Sequence, residues 1–355
     1  MSADPILFGN LTSAGLHAAL APLGVDARLA RRLQAAVLRR GALPASFPEV
    51  SAAVLRRVRA ATRVPRLELL EAKVSPTDGF AKFLFRGEGR DPFEAVRIPL
   101  LHRPDDPKYV VCVSAQVGCG MGCAFCATGR MGFTRNLAAW EMVAQVTQIA
   151  AAAPHPVRGV VFMGMGEPLL NYDAVVTAGR VLCEPCGPAI PAKAITISTI
   201  GIVPGIRRLA AERLPFRLIV SLVSADPATR RRLLPATAAH LLRELIAVLR
   251  EWHKVSRQRV TLAWPMLAGV NTAETDAVQL AALVGDLPVK IDLIDVNDPT
   301  GRFHAPTDDA RHAFRDALRR HLAAPVARRY SGGADIAAGC GMLSAAGLSR
   351  GCAPA

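Results

Sequence analysis

Residues 109–126 read YVVCVSAQVGCGMGCAFC. The first half, YVVCVSAQ, is a short β-branched run of the kind that forms a buried strand. The second half sets Cys119, Cys123 and Cys126 at C-x-x-x-C-x-x-C spacing on one loop. Three thiolates so grouped can hold three irons of a cubane. Four would close a [4Fe–4S] cluster, so three leave one iron open to a non-protein ligand. Zinc and inert buried thiols are the competing readings of these cysteines. Zinc sites usually combine paired C-x-x-C units or histidines, and the other C-x-x-C, Cys183 and Cys186 in LCEPCG, has no second pair.

Downstream of this stretch the same rhythm continues. The runs GVVFMGMG (159–166), AITIST (194–199), FRLIVSLVS (216–224), RVTLAWPML (259–267) and KIDLIDVN (290–297) alternate with helical patterns. Strands without polar alternation are buried on both faces, as in a parallel sheet covered by helices. With YVVCVSAQ the count is six βα units. This predicts an α/β fold built on a partial (β/α)6 TIM-type barrel, with functional groups at the carboxyl ends of its strands. The cysteine loop follows the first strand, as that rule requires.

Upstream the pattern differs. Residues 11–24, 27–41 and 47–62 carry apolar residues at helical spacing with arginines on the other face, broken by Gly and Pro. They predict a small basic helical accessory domain over 1–67. Residues 67–103 then break into short runs separated by TDG and GEGRD, which read as hairpin strands in a linker region over 68–107. The core is expected over 108–355.

The chain has 355 residues, 51% of them hydrophobic, enough for a sizeable core. Every apolar stretch is interrupted before membrane-spanning length, and the first residues, MSADPILFGN, lack the pattern of a signal peptide. A cytoplasmic protein with reduced cysteines is therefore expected. The net charge of +14 suits a partner that is a polyanion, although an arginine-rich composition alone can produce it.

Polar residues recur where the runs end. Gly166 and Glu167 close the second, Ser198 the third, Ser221 the fourth and Asn297 the sixth. Singly such residues serve as helix N-caps, but repeated at one face they suit a ligand carrying amino, carboxylate and hydroxyl groups. Here the chain resembles a known family. CVSAQVGCGMGCAFCATGRMGFTRNL (112–137), GMGEPLLNYDAV (164–175), ITISTIGIVPGI (195–206) and ADIAAGCGML (334–343) are similar, in order, to motifs of the RlmN/Cfr family of radical S-adenosylmethionine RNA adenine methyltransferases.

The resemblance implies a [4Fe–4S] cluster on Cys119, Cys123 and Cys126, with S-adenosyl-L-methionine bound by Gly166, Glu167, Ser198, Ser221, Leu222, Val223 and Asn297. It implies that Cys340 carries a methyl group to an adenine ring carbon, and that Cys112 resolves the resulting crosslink and leaves a Cys112–Cys340 disulfide. Glu94, in FEAVRIP, is matched to the base that takes the ring proton. The implied substrate is C2 of an adenine in 23S rRNA, with tRNA as a second RNA. The implied electron donor is a flavodoxin or ferredoxin, and the chain is expected to act as a monomer. C8 methylation, as in Cfr, is the alternative within the family. A radical enzyme with a non-RNA substrate and a non-enzymatic iron–sulfur RNA-binding protein are the alternatives outside it. Val223 stands where family members typically carry His, and the segment around Asn297 departs from the usual pattern. Cys183, Cys186 and Cys352 match no catalytic position and read as inert thiols.

Overall fold

The computed structural model describes residues 4–48, 50–100, 105–239, 241–298 and 300–345. Two short strands, β1 (Ile6–Leu7) and β2 (Thr62–Arg63), pair in parallel and clasp the N-terminal helices α1 (Ser13–Leu20), α2 (Ala27–Arg40) and α3 (Ala52–Ala61) into one unit. Thr12, Asp26 and Ser51 each cap a helix by accepting a bond from the backbone N–H three residues on. Leu16, Leu20, Leu33, Val37, Leu55 and Val58 form a core of their own, with the arginines left outside. Ser13 binds Glu184, and the Trp140 N–H donates to Asn10 at 2.8 Å, which fastens this unit to the rest of the chain.

Three strands follow, β3 (Glu68–Val74), β4 (Ala81–Arg86) and β5 (Phe93–Pro99), each antiparallel to the next. Residues 68–107 thus supply strands that continue the main sheet, because β5 pairs antiparallel with β6 (Tyr109–Cys112). The chain then makes a separate hairpin of β7 (Gln116–Cys119) and β8 (Gly132–Asn136), with the short helix α4 (Ala127–Arg130) between them.

Beyond it the helices α5 (Ala139–Ala152), α6 (Tyr172–Cys183), α7 (Val203–Ala211), α8 (Pro227–Leu233), α9 (Leu242–Ser256), α10 (Glu274–Val284) and α11 (Asp308–His321) alternate with strands. These strands are β9 (Val157–Phe162), β10 (Ile195–Thr199), β11 (Arg217–Ser221), β12 (Val260–Met266), β13 (Val289–Asp295) and β14 (Val326–Arg329). The sheet runs β14-β13-β12-β11-β10-β9-β6-β5-β4-β3, parallel from β6 to β14.

The six expected strands are present in a partial barrel whose edges, β14 and β3, do not pair with each other among the described residues. The seventh parallel strand, β14, has the sequence VARR and is half-exposed, so it carries no apolar run for periodicity to detect.

One buried amide organises the open end of this sheet. Asn271, fully buried, donates to the Val223 and Pro265 carbonyls, both at 2.8 Å, and accepts from the Leu267 N–H at 2.8 Å. Val223 has φ +66°, which a β-branched residue rarely adopts without outside support. Replacing Asn271 with Ala takes this partner from the buried Leu267 N–H and Val223 carbonyl and from the half-buried Pro265 carbonyl. It is expected to cost about 3 kcal/mol, read as a lower midpoint in thermal or urea unfolding.

Candidate active site

The cysteine loop hangs from the β7–β8 hairpin. At Gly118 the chain turns with φ +69°, and a Cβ there would sit on the Gly132 carbonyl oxygen, so only glycine lets the two strands close. The hairpin is held against the sheet by buried side chains. Gln145 of α5 brackets the Ser114 peptide, accepting from its N–H at 2.9 Å and donating to its carbonyl at 3.1 Å. Asn171 donates to the carbonyls of Ala115 and Leu137.

Cys119, Cys123 and Cys126 border a cavity of ≈ 150 Å³ together with Gly166, Glu167, Ser198, Ser221 and Cys340. Burial, with Cys126 and Glu167 nearby, pushes the Cys119 thiol up to about 11, and Cys123 is pushed up further by burial and by its two neighbours. Three thiolates crowded in a buried pocket oppose one another's ionisation, and bound iron is the kind of positive charge that reverses this. Among the described residues no group of ligands is gathered around a single metal ion. A set of three thiols on one loop is the kind of donor set that holds three irons of a cubane.

Glu167 lies beside these thiols with both oxygens engaged, accepting from the Leu169 N–H at 3.0 Å and the Ile200 N–H at 2.9 Å. Burial raises its carboxyl to about 7, against the pull of those two bonds.

Cys112 and Cys340 come from opposite ends of the core and border a second cavity, of ≈ 90 Å³. Cys126, Cys340 and Gly341 line both cavities. Burial, and then Cys340 beside it, push the Cys112 thiol up to about 12, with Arg329 pulling the other way. Cys340 is placed by its backbone. Its N–H donates to Ser331 Oγ at 2.9 Å, and Asn297 Nδ2 donates to the same oxygen at 2.8 Å. A Cβ on Gly339 would lie 2.7 Å from that Asn297 nitrogen, so a larger residue there would push the Asn297 amide aside. Ala127 at the start of α4 donates to the Gly341 carbonyl at 2.7 Å, which ties the Cys340 loop to the three-thiol loop.

Glu94 borders neither cavity. It is buried on β5, paired with Lys82 Nζ at 3.0 Å, and it accepts from the backbone N–H groups of Ser344 and Ala345 at 2.9 and 3.1 Å. Leu222 and Val223 are fully buried and line neither cavity, so Val223 reaches the site only through the turn it makes after Ser221. Asn297 likewise borders neither and acts on the Cys340 loop. Cys183 and Cys186 lie elsewhere, the latter beside Gln34, and Cys352 falls outside the described residues.

The sequence did not single out Arg230. It is 3% exposed on α8, and its guanidinium donates to the carbonyls of Ile200, Ser221 and Leu222, which fixes the ends of β10 and β11. Burial lowers its pKa to about 10, and Cys123 opposes that loss. Nothing in the run RRRLL separates it from the exposed Arg231 and Arg232.

A three-thiol loop at the carboxyl ends of parallel strands, beside a glycine-rich strand end, defines the radical S-adenosylmethionine class, and the profile of the Radical SAM superfamily matches residues 113–281. The chain is 46% identical over 340 residues to a "Probable RNA methyltransferase" of Myxococcus xanthus (strain DK1622), covering 95% of this chain and 93% of that one. It is 40% identical over 276 residues to the "Probable dual-specificity RNA methyltransferase RlmN" of Deinococcus deserti, covering 76% and 79% respectively. A crystal structure of a radical SAM methyltransferase from Sphaerobacter thermophilus superposes with TM-score 0.86 at 36% identity, covering 96% of this chain and all of that one. The chain belongs to the RlmN-like family of radical S-adenosylmethionine RNA methyltransferases.

Two outcomes are expected. Gly118→Ala prevents cluster assembly, read as lost visible absorption after anaerobic reconstitution, while far-ultraviolet dichroism is unchanged. Iodoacetamide near neutral pH modifies the partly exposed Cys340 well before Cys112, which is 8% exposed and stays a thiol until the pH nears 12. Peptide mass spectrometry follows both sites.

Proposed function

We propose that this protein transfers a methyl group from S-adenosyl-L-methionine, by way of the Cys340 sulfur, to C2 of an adenine in 23S rRNA, with tRNA as a further substrate. The observation that carries this reading is the pair of adjoining cavities. The smaller one is lined by both Cys112 and Cys340, separated by most of the core in sequence, and Cys340 also lines the cavity of the three-thiol loop. Binding of RNA alone would need neither cysteine there. The relative named as a dual-specificity RNA methyltransferase supports RNA as the substrate.

When bound, a [4Fe–4S] cluster on Cys119, Cys123 and Cys126, with S-adenosyl-L-methionine at its open iron, supplies the one-electron chemistry that a non-nucleophilic ring carbon needs. The chain's own residues do the rest. Cys340 holds the methyl group where both cavities meet. The methyl carbon gives up a hydrogen atom and bonds to the ring carbon; Glu94 then takes the ring proton, and the odd electron left on the ring would pass back to the bound cluster. For this the segment over Ser344 and Ala345 must withdraw from the Glu94 carboxylate. The Cys112 sulfur then attacks the Cys340 sulfur and the S–C bond breaks. Its electron pair goes to the carbon on the ring, which picks up a proton, and a Cys112–Cys340 disulfide remains.

The target adenine must lie in a loop or be turned out of its stack to reach this depth. The basic helices within 1–67 would meet RNA phosphates, and a flavodoxin or ferredoxin would deliver the electron to a monomer in the cytoplasm. Among the described residues no helix is long and apolar enough to cross a membrane.

The test is anaerobic reconstitution with methyl-labelled S-adenosyl-L-methionine and total RNA from a methylation-deficient host, read by nucleoside mass spectrometry. Label is expected in 2-methyladenosine with the wild type and absent with Cys340→Ala. Cys112→Ala is expected to accumulate a covalent protein–RNA adduct. Label in 8-methyladenosine would overturn the C2 assignment, and cleavage of S-adenosyl-L-methionine without labelled adenosine would overturn RNA as the substrate.

A further inference from the structure

We propose that a cleft between the N-terminal helices and the outer face of the sheet binds a second nucleotide of the RNA strand, outside the thiol cavities; the inference rests on the RNA reading above. The cleft measures ≈ 490 Å³, against ≈ 150 Å³ at the thiols. That lies within the range of about 300–1,000 Å³ usual for sites that enclose a small organic group. Phe83 and Phe85 of β4, with rings stacked 6.0 Å apart, line it together with Phe8 and Trp140. Leu69, 52% exposed, stands at its lip. Trp140 is 3% exposed, and its indole Nε1 has no hydrogen-bond partner among the described residues, a buried donor left unmatched.

The rim is basic. Arg39 and Arg40, at the end of α2, and Arg66 are exposed and border the cleft, and none has an acidic partner among the described residues. A seam that only joined two units would gain by placing a carboxylate across from these charges. Three guanidinium groups around an apolar cleft, whose rings are buried (Phe8 and Phe85 1%, Phe83 7% exposed), instead fit a phosphate-linked base, the base in the cleft and the phosphates on the rim.

A polynucleotide fits better than a free nucleotide because the basic surface continues. Arg39 and Arg40 also border a second hollow of ≈ 320 Å³ on α2, which includes Arg32 and Phe47. Charge laid along a helix over more than one hollow matches a run of phosphates.

Strand register separates this cleft from the reaction site. Glu94 faces Leu84 across the β4–β5 pair and is bonded to Lys82, whereas Phe83 and Phe85 alternate with those residues and project to the other face. Cys112, opposite Val96 on β6, shares the Glu94 face. An RNA strand that fills the cleft and also presents an adenine to Cys340 therefore passes around the exposed edge strand β3.

The test uses the full chain and a fluorescein-labelled single-stranded RNA of about twelve nucleotides, with anisotropy followed across a salt series. Arg39→Ala/Arg66→Ala is expected to weaken binding and to flatten the slope of log K against log salt by about 1.4, since each single-strand phosphate contact contributes about 0.7. The exposed control pair Arg207→Ala/Arg243→Ala is expected to leave the slope unchanged, and all variants are expected to cleave S-adenosyl-L-methionine as the wild type does. An Arg39/Arg66 variant that binds like a fully competent wild type would overturn this inference and leave the methyltransferase reading standing. Equal flattening in the control pair, or displacement of the RNA by an equal concentration of adenosine monophosphate, would also overturn it. A wild type that binds no RNA would overturn both.

Discussion

Strand β6 is hydrogen-bonded antiparallel to β5 on one side and parallel to β9 on the other, and the arrangement of the site depends on that double pairing. The antiparallel side puts Cys112 on the same face as Glu94, two residues apart in register terms through Val96. The parallel side starts the run of strands whose carboxyl ends gather Gly166, Glu167, Ser198 and Ser221. The chain leaving β6 passes directly into the hairpin that bears Cys119, Cys123 and Cys126. A one-residue slip of β6 would turn Cys112 to the opposite face and separate it from Cys340.

The return of the chain end completes what β6 begins. The segment 339–345 bonds to α4 through the Gly341 carbonyl, to Thr128 through the Leu343 carbonyl, and to Glu94 through two N–H groups. It therefore carries Cys340 and touches both the three-thiol loop and Glu94. Leu343 is also buried in the main core, so parting the segment from Glu94 would move that side chain as well as break two backbone bonds. Arg230 provides the rigid counterpart, since its buried guanidinium holds three carbonyls that would otherwise face the core without donors.

Much of this was legible in the sequence because it rests on local patterns. The parallel strands carry runs of Val, Ile and Leu long enough to be seen, and the three-thiol loop has a spacing few other structures require. β14 was missed because VARR at a sheet edge is neither apolar nor alternating. Leu222 and Val223 have side chains buried in the core, and the turn at Val223 is supported by a distant amide, Asn271, so it is their backbone that is left to meet a ligand, which spacing does not show. Asn297 acts one step removed, through Ser331, a partner that spacing cannot reveal. Arg230 and the arginine-rimmed cleft depend on which of many arginines the fold buries or leaves unpaired, and a chain with 43 Lys and Arg hides that choice.

Cys112 and Cys340 line one small cavity, and Cys340 also lines the cavity of the three-thiol loop. That nearness can be read by removing any iron with a chelator, oxidising the protein with diamide, and mapping disulfides by non-reducing peptide mass spectrometry. A Cys112–Cys340 peptide is expected as the main product. A protein in which Cys340 couples only to cysteines of the cluster loop, with Cys112 left as a free thiol, would contradict it.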